Sequence, residues 1–282
     1  MSRVIVVAGP TASGKTALAI ELARKLGGEI VSADSMQIYR GMNIGTAKAT
    51  PQEQAAARHH MIDVADPAEN YSVSRYVDEA VLCCEDILSR GKVPVICGGT
   101  GLYIDSLLSG RDFGSREDDG ALREELSARY DAIGGEAMLA ELAAFDAERA
   151  SKLAPNDKKR IVRAFEVYRL TGETISEHDA RTRLIPPRYD AEYHILGMTD
   201  RESLYRRIDA RVDKMLSLGL VGEVENLLKT VPPSATSMQA IGYKEIASYL
   251  RGECRLKDAV DLIKQSSRRY AKRQITWFKK YL

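Results

Sequence analysis

Gly9, Pro10, Thr11, Ala12, Ser13, Gly14, Lys15 and Thr16 fit the pattern G-x-x-x-x-G-K-[ST]. In such a loop, successive backbone N–H groups and the positive end of the following helix converge on one anion. Lys15 adds a point charge, and Thr16 offers a hydroxyl to Mg²⁺. The chemistry implied is the binding of a di- or triphosphate. A tight strand-to-helix turn would use the glycines but would leave Lys15 and Thr16 without a purpose. The loop alone does not name the phosphate compound.

Two further groups follow apolar runs that read as strands. Ligands of parallel sheets gather at the carboxyl ends of the strands. Asp34, two residues beyond the run Glu29 to Ser32, therefore points toward the same crevice as the loop. It could hold Mg²⁺ through water, accept a proton from a nucleophile, or cap a turn. Gly98, Gly99, Thr100 and Gly101 end the next run, Val93 to Cys97. An ATPase would place a metal-holding acid there, so ATP hydrolysis is disfavoured. The glycines would let a substrate approach the backbone, and Thr100 supplies a neutral hydrogen-bonding group. A small-molecule kinase would suit the same arrangement.

These groups require a strand, loop and helix order, which the chain supplies. Val4 to Ala8 precede the loop and a helix-forming run from Ala17 to Ala23 follows it. After the strand at 29–32 comes a long loop, then a helix from about Ser74 to Arg90 with Val77, Ala80, Val81, Cys84, Ile87 and Leu88 at helical spacing, stopped by Gly91. This βαβαβ progression predicts an α/β fold with a mostly parallel sheet and helices on both faces. Beyond Leu108 only helical patterns occur, from about Ala121 to Thr182, broken at Gly134 and Gly135, Pro155 and Gly172. Thr174 with Glu177 forms a capping box there. Tyr193 to Leu196 return to strand, and Thr199 with Glu202 is expected to cap a helix carrying Leu204, Ile208, Val212 and Met215. The expected organisation is a core from 1–110, an all-helical insertion from 111–190, and a return to the core over 191–282. Pro232 and Pro233 mark a loop in the last part, and Gly242 a local break.

At 282 residues and 44% apolar content the chain can bury a large core. No apolar run approaches the ~20 residues of a membrane span, and the start lacks signal-peptide flanks. A cytoplasmic protein with no membrane partner is expected. Cys83, Cys84, Cys97 and Cys254 show no C-x-x-C spacing, which fits small core hydrophobes in a reducing compartment. The formal net charge of +1 conceals a basic end: Lys264, Arg268, Arg269, Lys272, Arg273, Lys279 and Lys280 follow Asp261 with no acid among them. Such an end invites a polyanionic partner, or is the solvated face of a long terminal helix.

The segments Gly9 to Thr16, Ser32 to Lys48, His60 to Asp63, Gly98 to Tyr103, Pro155 to Asp157 with Arg160 to Ala164, Gly242 to Glu245 and Lys272 to Trp277 together resemble the tRNA dimethylallyltransferase family. They run nearly end to end, in the family's order. The resemblance implies a P-loop NTPase-like core in which the loop from Gly9 to Thr16 holds the diphosphate of dimethylallyl diphosphate. The prenyl group passes to the exocyclic amine of the adenine on the 3′ side of the anticodon, the base being turned out of its stack. Implied with it are Mg²⁺ on Thr16, a tRNA anticodon stem-loop as partner, a monomeric bacterial-type protein without a zinc finger, and diphosphate as leaving group.

The same resemblance suggests roles. Asp34 is the candidate base for the amine, while Lys15, the loop amides, Mg²⁺ and either Arg207 or Arg211 stabilise the departing diphosphate. Asp34, Ser35, Met36 and Gln37 would touch the target nucleotide, with Thr100 beside it. Arg123, the run Lys159, Arg160, Ile161, Val162 and Arg163, the run Gln239, Ala240, Ile241, Gly242, Tyr243 and Lys244, and Lys272, Arg273 and Gln274 would hold RNA. Members often carry histidine where this chain has Ala154. The rival readings are a P-loop small-molecule kinase, a prenyltransferase of free adenine nucleotide, and a non-catalytic RNA-binding protein.

Overall fold

The apolar run that opens the chain forms β1 (Arg3–Ala8), buried at every residue after the first. In this computed structural model, residues 2–110, 120–197 and 200–282 are described. Gly14, at φ 90°, turns the chain out of the loop into α1 (Lys15–Leu26), and β2 (Glu29–Ser32) follows, wholly buried. The stretch expected as a long loop contains two elements. Thr50 and Glu53 make a reciprocal capping box, with Pro51 pre-set for the first turn, and so start α2 (Pro51–Ala56). Beyond it lies β3 (His59–His60), too short for alternation to reveal. Ser72 caps α3 (Val73–Ser89) by accepting from the Arg75 N–H. Then come β4 (Pro94–Gly98) and α4 (Gly101–Leu108).

Among the described residues five helices follow: α5 (Gly120–Ile133), α6 (Gly135–Phe145), α7 (Ala147–Ala150), α8 (Lys158–Thr171) and α9 (Ile175–Thr182). The chain then gives β5 (Asp190–Ile195), α10 (Arg201–Ser217), α11 (Leu220–Leu227), α12 (Tyr243–Leu250) and α13 (Leu256–Phe278). It divides into two compact units, Met1–Leu108 with Arg188–Leu282, and Ser109–Pro187.

In the first unit the sheet runs β3-β2-β4-β1-β5, every pairing parallel, with Ile5 beside Val95 and Val6 beside Tyr193. Side chains alternate between faces. Ile5, Val7, Ile30 and Val95 pack on Ala19 and Ala23 of α1. The buried Val4, Val6, Val31 and Ile96 take the opposite face, where α3 and α4 meet β2 and β4. There Tyr76 stacks on Tyr103 at 4.0 Å and donates to the Ser32 carbonyl at 3.0 Å. On α10 and α13, Leu204, Ile208 and Ala271 form a buried cluster that reaches Ala12 of the loop. Asp200 caps α10 by accepting from the Ser203 N–H; Thr199, expected in that role, lies outside the described residues.

The second unit closes around Leu126, Met138, Leu142, Ile161, Val162 and Phe165. Its capping box at Thr174 and Glu177 forms as expected. Asp146 makes a break that the sequence reading missed. It caps α7 and also accepts from the Ser176 hydroxyl and N–H.

Gly98 at the end of β4 and Gly99 just after it are closely packed. Their missing side chains make room for the protein's own groups: a Cβ on Gly98 would lie 2.1 Å from the Ala33 carbonyl oxygen, and one on Gly99 would lie 2.2 Å from Gln274 Nε2. Because the Gly98 obstacle is backbone of the strand-end turn, Gly98→Ala is expected to cost about 2 kcal/mol or more, seen as a lower urea midpoint. An unchanged midpoint would contradict this packing account.

Candidate active site

The carboxyl ends of β1, β2 and β4 open into a cleft of about 600 Å³ in the first unit. Its walls include Thr11 to Thr16, Asp34 to Gln37, Gly45 to Ala47, Arg211, Gln239 to Lys244, Arg273 and Gln274. The strand-to-helix turn after β1 thus faces the turn after β2, as parallel-sheet topology requires.

Lys15 Nζ donates to the Pro10 carbonyl at 2.6 Å. Burial pushes its pKa down to about 8; Arg211 adds to the fall, while Asp34 opposes it. Arg211 shares this environment, and burial lowers its pKa as well. Its Nε is buried without a hydrogen-bond partner, and its Nη2 lies 3.5 Å from the Thr46 carbonyl. Arg207, the other candidate cation, is exposed and does not line the cleft. One helical turn separates the two, and packing of the Leu204, Ile208 and Val212 face decides which points inward.

Asp34 caps a turn and also lines the cleft. Its Oδ1 accepts from the N–H groups of Met36 at 3.0 Å and Gln37 at 3.4 Å. Thr100 supports that turn, its Oγ1 accepting from the Ser35 N–H at 3.0 Å. The same hydroxyl donates to Ser35 Oγ at 3.3 Å. The Gln37 side chain donates to the Thr46 carbonyl at 3.2 Å and the Ala47 carbonyl at 3.4 Å.

Gln274 lines the cleft and also braces it. Its Oε1 accepts from the Thr11 N–H at 2.8 Å and its Nε2 donates to the Gly99 carbonyl at 2.9 Å. The amide is therefore a buried strut from α13 to the phosphate loop and the end of β4. Arg273 lines the cleft over the Tyr270 ring, 5.6 Å from its centre, and Lys272 is exposed. Burial pushes the Tyr270 hydroxyl up to about 12. In the segment from Gln239 to Lys244, all six residues line the cleft, with Tyr243 held by Glu223 through a 2.6 Å hydrogen bond.

In the second unit, Arg123 and Arg163 both pair with Glu166, a wholly buried carboxylate. Burial opposes ionisation of Glu166, but the two arginines outweigh it and hold its pKa below the ordinary value. Lys159 and Arg160 are exposed. Ile161 and Val162 are core residues, 0% and 6% exposed, so their side chains cannot meet RNA. The resemblance carried them along with their basic neighbours on α8, whereas helical spacing turns them inward.

Sequence reasoning placed Ile208, Val212 and Met215 on one helix but missed that they line the cleft, and it missed Ile263, Ser267 and Tyr270 on α13, which line it too. Their spacing of three or four residues, in step with Arg211 and Gln274, was the available sign.

The donors present fit Mg²⁺ held mainly by substrate oxygens and water. Mg²⁺ bound with phosphates needs only one or two protein ligands, and Thr16 and Asp34 both line the cleft. No cluster of three or more acidic, histidine or cysteine side chains forms a metal cage among the described residues.

Fold and cleft together define a class, the proteins with a phosphate-binding loop at the carboxyl ends of a parallel sheet. The family model described as IPP transferase matches residues 37–281, and that described as isopentenyl transferase matches 2–69. The tRNA dimethylallyltransferase of Acetivibrio thermocellus is 48% identical over 99% of this chain and 90% of its own length. A tRNA dimethylallyltransferase 2 of Geotalea uraniireducens is also 48% identical, covering 99% and 89%. The crystal structure of the Staphylococcus epidermidis tRNA delta(2)-isopentenylpyrophosphate transferase superposes with a TM-score of 0.71 at 43% identity, covering 99% of this chain and 90% of that one. A eukaryotic dimethylallyltransferase acting on tRNA gives a TM-score of 0.85 at 32% identity, covering 99% and 70%. The chain belongs to the tRNA dimethylallyltransferase family.

Proposed function

We propose that the chain moves the dimethylallyl group of dimethylallyl diphosphate to the exocyclic amine of the adenine on the 3′ side of the anticodon, releasing diphosphate. One observation carries the reading: Lys15, Arg211 and Asp34 share a single cleft. It offers cations for a leaving diphosphate and a base for an incoming amine.

The adenine amine is a weak nucleophile because its lone pair is delocalised into the ring. As its nitrogen bonds to the allylic carbon and the carbon–oxygen bond breaks, the amine becomes acidic and the diphosphate gathers charge. Asp34 takes the amine proton. The phosphate-loop amides, Lys15 and Arg211 stabilise the departing oxygens. Thr16 would hold Mg²⁺, which when bound neutralises part of that charge. The Asp34 turn fixes the base, because its Oδ1 is anchored by two backbone N–H groups.

For RNA, the exposed Lys159 and Arg160 are proposed as phosphate contacts, with Arg123 and Arg163 oriented by Glu166. Arg273, Lys244 and the backbone from Gln239 to Gly242 would flank the flipped base at the cleft. Removing Lys159 and Arg160 together is expected to reduce the slope of log K against log salt by roughly 0.7–0.9 per lost charge. A titration of stem-loop binding with an unchanged slope would remove both from the interface. The proposed working unit is a monomer, acting in the cytoplasm.

The small-molecule kinase is not favoured, since the relatives matched over nearly the whole chain are tRNA dimethylallyltransferases. Supplied with prenyl-labelled dimethylallyl diphosphate, [γ-³²P]ATP and undermodified tRNA together, the protein should place prenyl label on RNA and no phosphoryl label on any acceptor. The reverse distribution would favour the kinase.

A further inference from the structure

The residues named so far leave unexplained what holds the wall of the cleft formed by Gly45, Thr46 and Ala47. That wall belongs to a turn closed by Ala47 N–H to the Ile44 carbonyl, Lys48 N–H to the Asn43 carbonyl, and the Thr46 hydroxyl to the Met42 carbonyl, at 3.0, 3.0 and 2.7 Å. Ala47 sits at φ 46°, in the left-handed region. Such a turn aims several N–H groups one way and makes a concave anion seat.

A carboxylate of this same chain fills the seat. Glu223 on α11 accepts from the N–H groups of Asn43 and Ile44 through Oε2, at 3.0 and 2.8 Å. Its Oε1 accepts from the Gly45 N–H at 3.1 Å and from the Tyr243 hydroxyl at 2.6 Å. Tyr243 presses against the same turn, since a Cβ on Gly45 would lie 2.4 Å from its ring. On the far side of the turn, the Thr46 carbonyl faces Arg211 Nη2 at 3.5 Å and accepts from Gln37 Nε2 at 3.2 Å.

We propose that Glu223 is a positioning residue of the transfer reaction: by clamping the turn at 43–46 it fixes the Thr46 carbonyl that sets Arg211 for the diphosphate. This rests on the reading of the cleft as the diphosphate site. A carboxylate suits the task because its two oxygens accept all four donors. Glutamine has the same shape but one oxygen, and its NH₂ would face backbone N–H groups, so it cannot replace the clamp.

A double-substitution cycle tests this, with binding of inorganic diphosphate and Mg²⁺ measured by calorimetry on the full chain. Glu223→Gln is expected to weaken binding about 10-fold or more, because hydrogen bonds to a charged group are lost. In an Arg211→Gln background the same change should cost less than about 3-fold, since the group it positions has gone. Equal loss in both backgrounds, which general loosening would give, or no loss in either, overturns the proposal. Should Glu223→Gln not fold, Tyr243→Phe removes one donor and leaves the backbone three. Its loss, expected at about 3-fold or more, must likewise vanish without Arg211. Wild-type protein that bound no diphosphate would overturn the cleft reading and this proposal together, whereas normal wild-type binding with equal losses overturns the proposal alone.

Discussion

Asp34→Asn is expected to cut turnover by about 100-fold or more while leaving diphosphate and stem-loop binding within a few-fold of the wild type. Asparagine is the informative replacement. Its side-chain oxygen still accepts from the N–H groups of Met36 and Gln37, the two bonds that Asp34 Oδ1 makes, so the turn and the neighbouring Ser35 to Thr100 contact survive. What it lacks is basicity. The amide cannot take the proton that the amine sheds as its nitrogen is alkylated, so the loss should fall on kcat and leave ground-state affinity intact. Single-turnover kinetics with saturating donor and RNA separate the two. Full turnover by Asp34→Asn would reduce Asp34 to a turn cap.

Lys15→Ala should lose about 10²–10³-fold in kcat/KM for the donor, in the range found when one preorganised donor to a developing oxyanion is removed. The lysine also predicts a pH limb. Its ammonium is useful only when protonated, and burial with the nearby Arg211 pushes its pKa down to about 8. The charged form is therefore complete below pH 8 and is lost as pH rises through that value. Because kcat/KM reports groups of the free enzyme, it should decline above about pH 8, some two units below the point where an ordinary lysine titrates. Lys15→Arg keeps its charge through this window and should show no decline there, at a lower plateau set by its bulkier head. A limb that persists in Lys15→Arg would belong to the substrate or to another group.

The parts legible in the sequence were those whose meaning is local. The phosphate loop is one contiguous segment between a strand and a helix, and the strand-end rule placed Asp34 beside it without knowledge of any contact. The capping box at Thr174 and Glu177 is equally local. What escaped depends on distant packing. Gln274 looked like part of a basic RNA grip, yet its two hydrogen bonds reach partners 263 and 175 residues away, and no pattern in its neighbourhood encodes them. Gly98 and Gly99 gave a correct sense of close approach, but glycine specifies free space and not its occupant, so the packing of Ala33 and Gln274 against them went unread. Arg207 and Arg211 differ by one helical turn, and only the apolar face of α10 chooses between them. Ile161 and Val162 show the opposite fault. Their apolar character already placed them inward, and a motif borrowed as a block overrode it. Glu223 drew no attention as a lone acid, since its four donors come from a turn about 180 positions earlier and from Tyr243.

The most direct test of the central claim is to incubate the protein with labelled dimethylallyl diphosphate, Mg²⁺ and undermodified tRNA, digest the RNA and identify the labelled nucleoside. The account expects one product, adenosine carrying the label on its exocyclic amine, at the position 3′ to the anticodon, with diphosphate released in equal amount. RNA without label, or label at another atom or position, would contradict it.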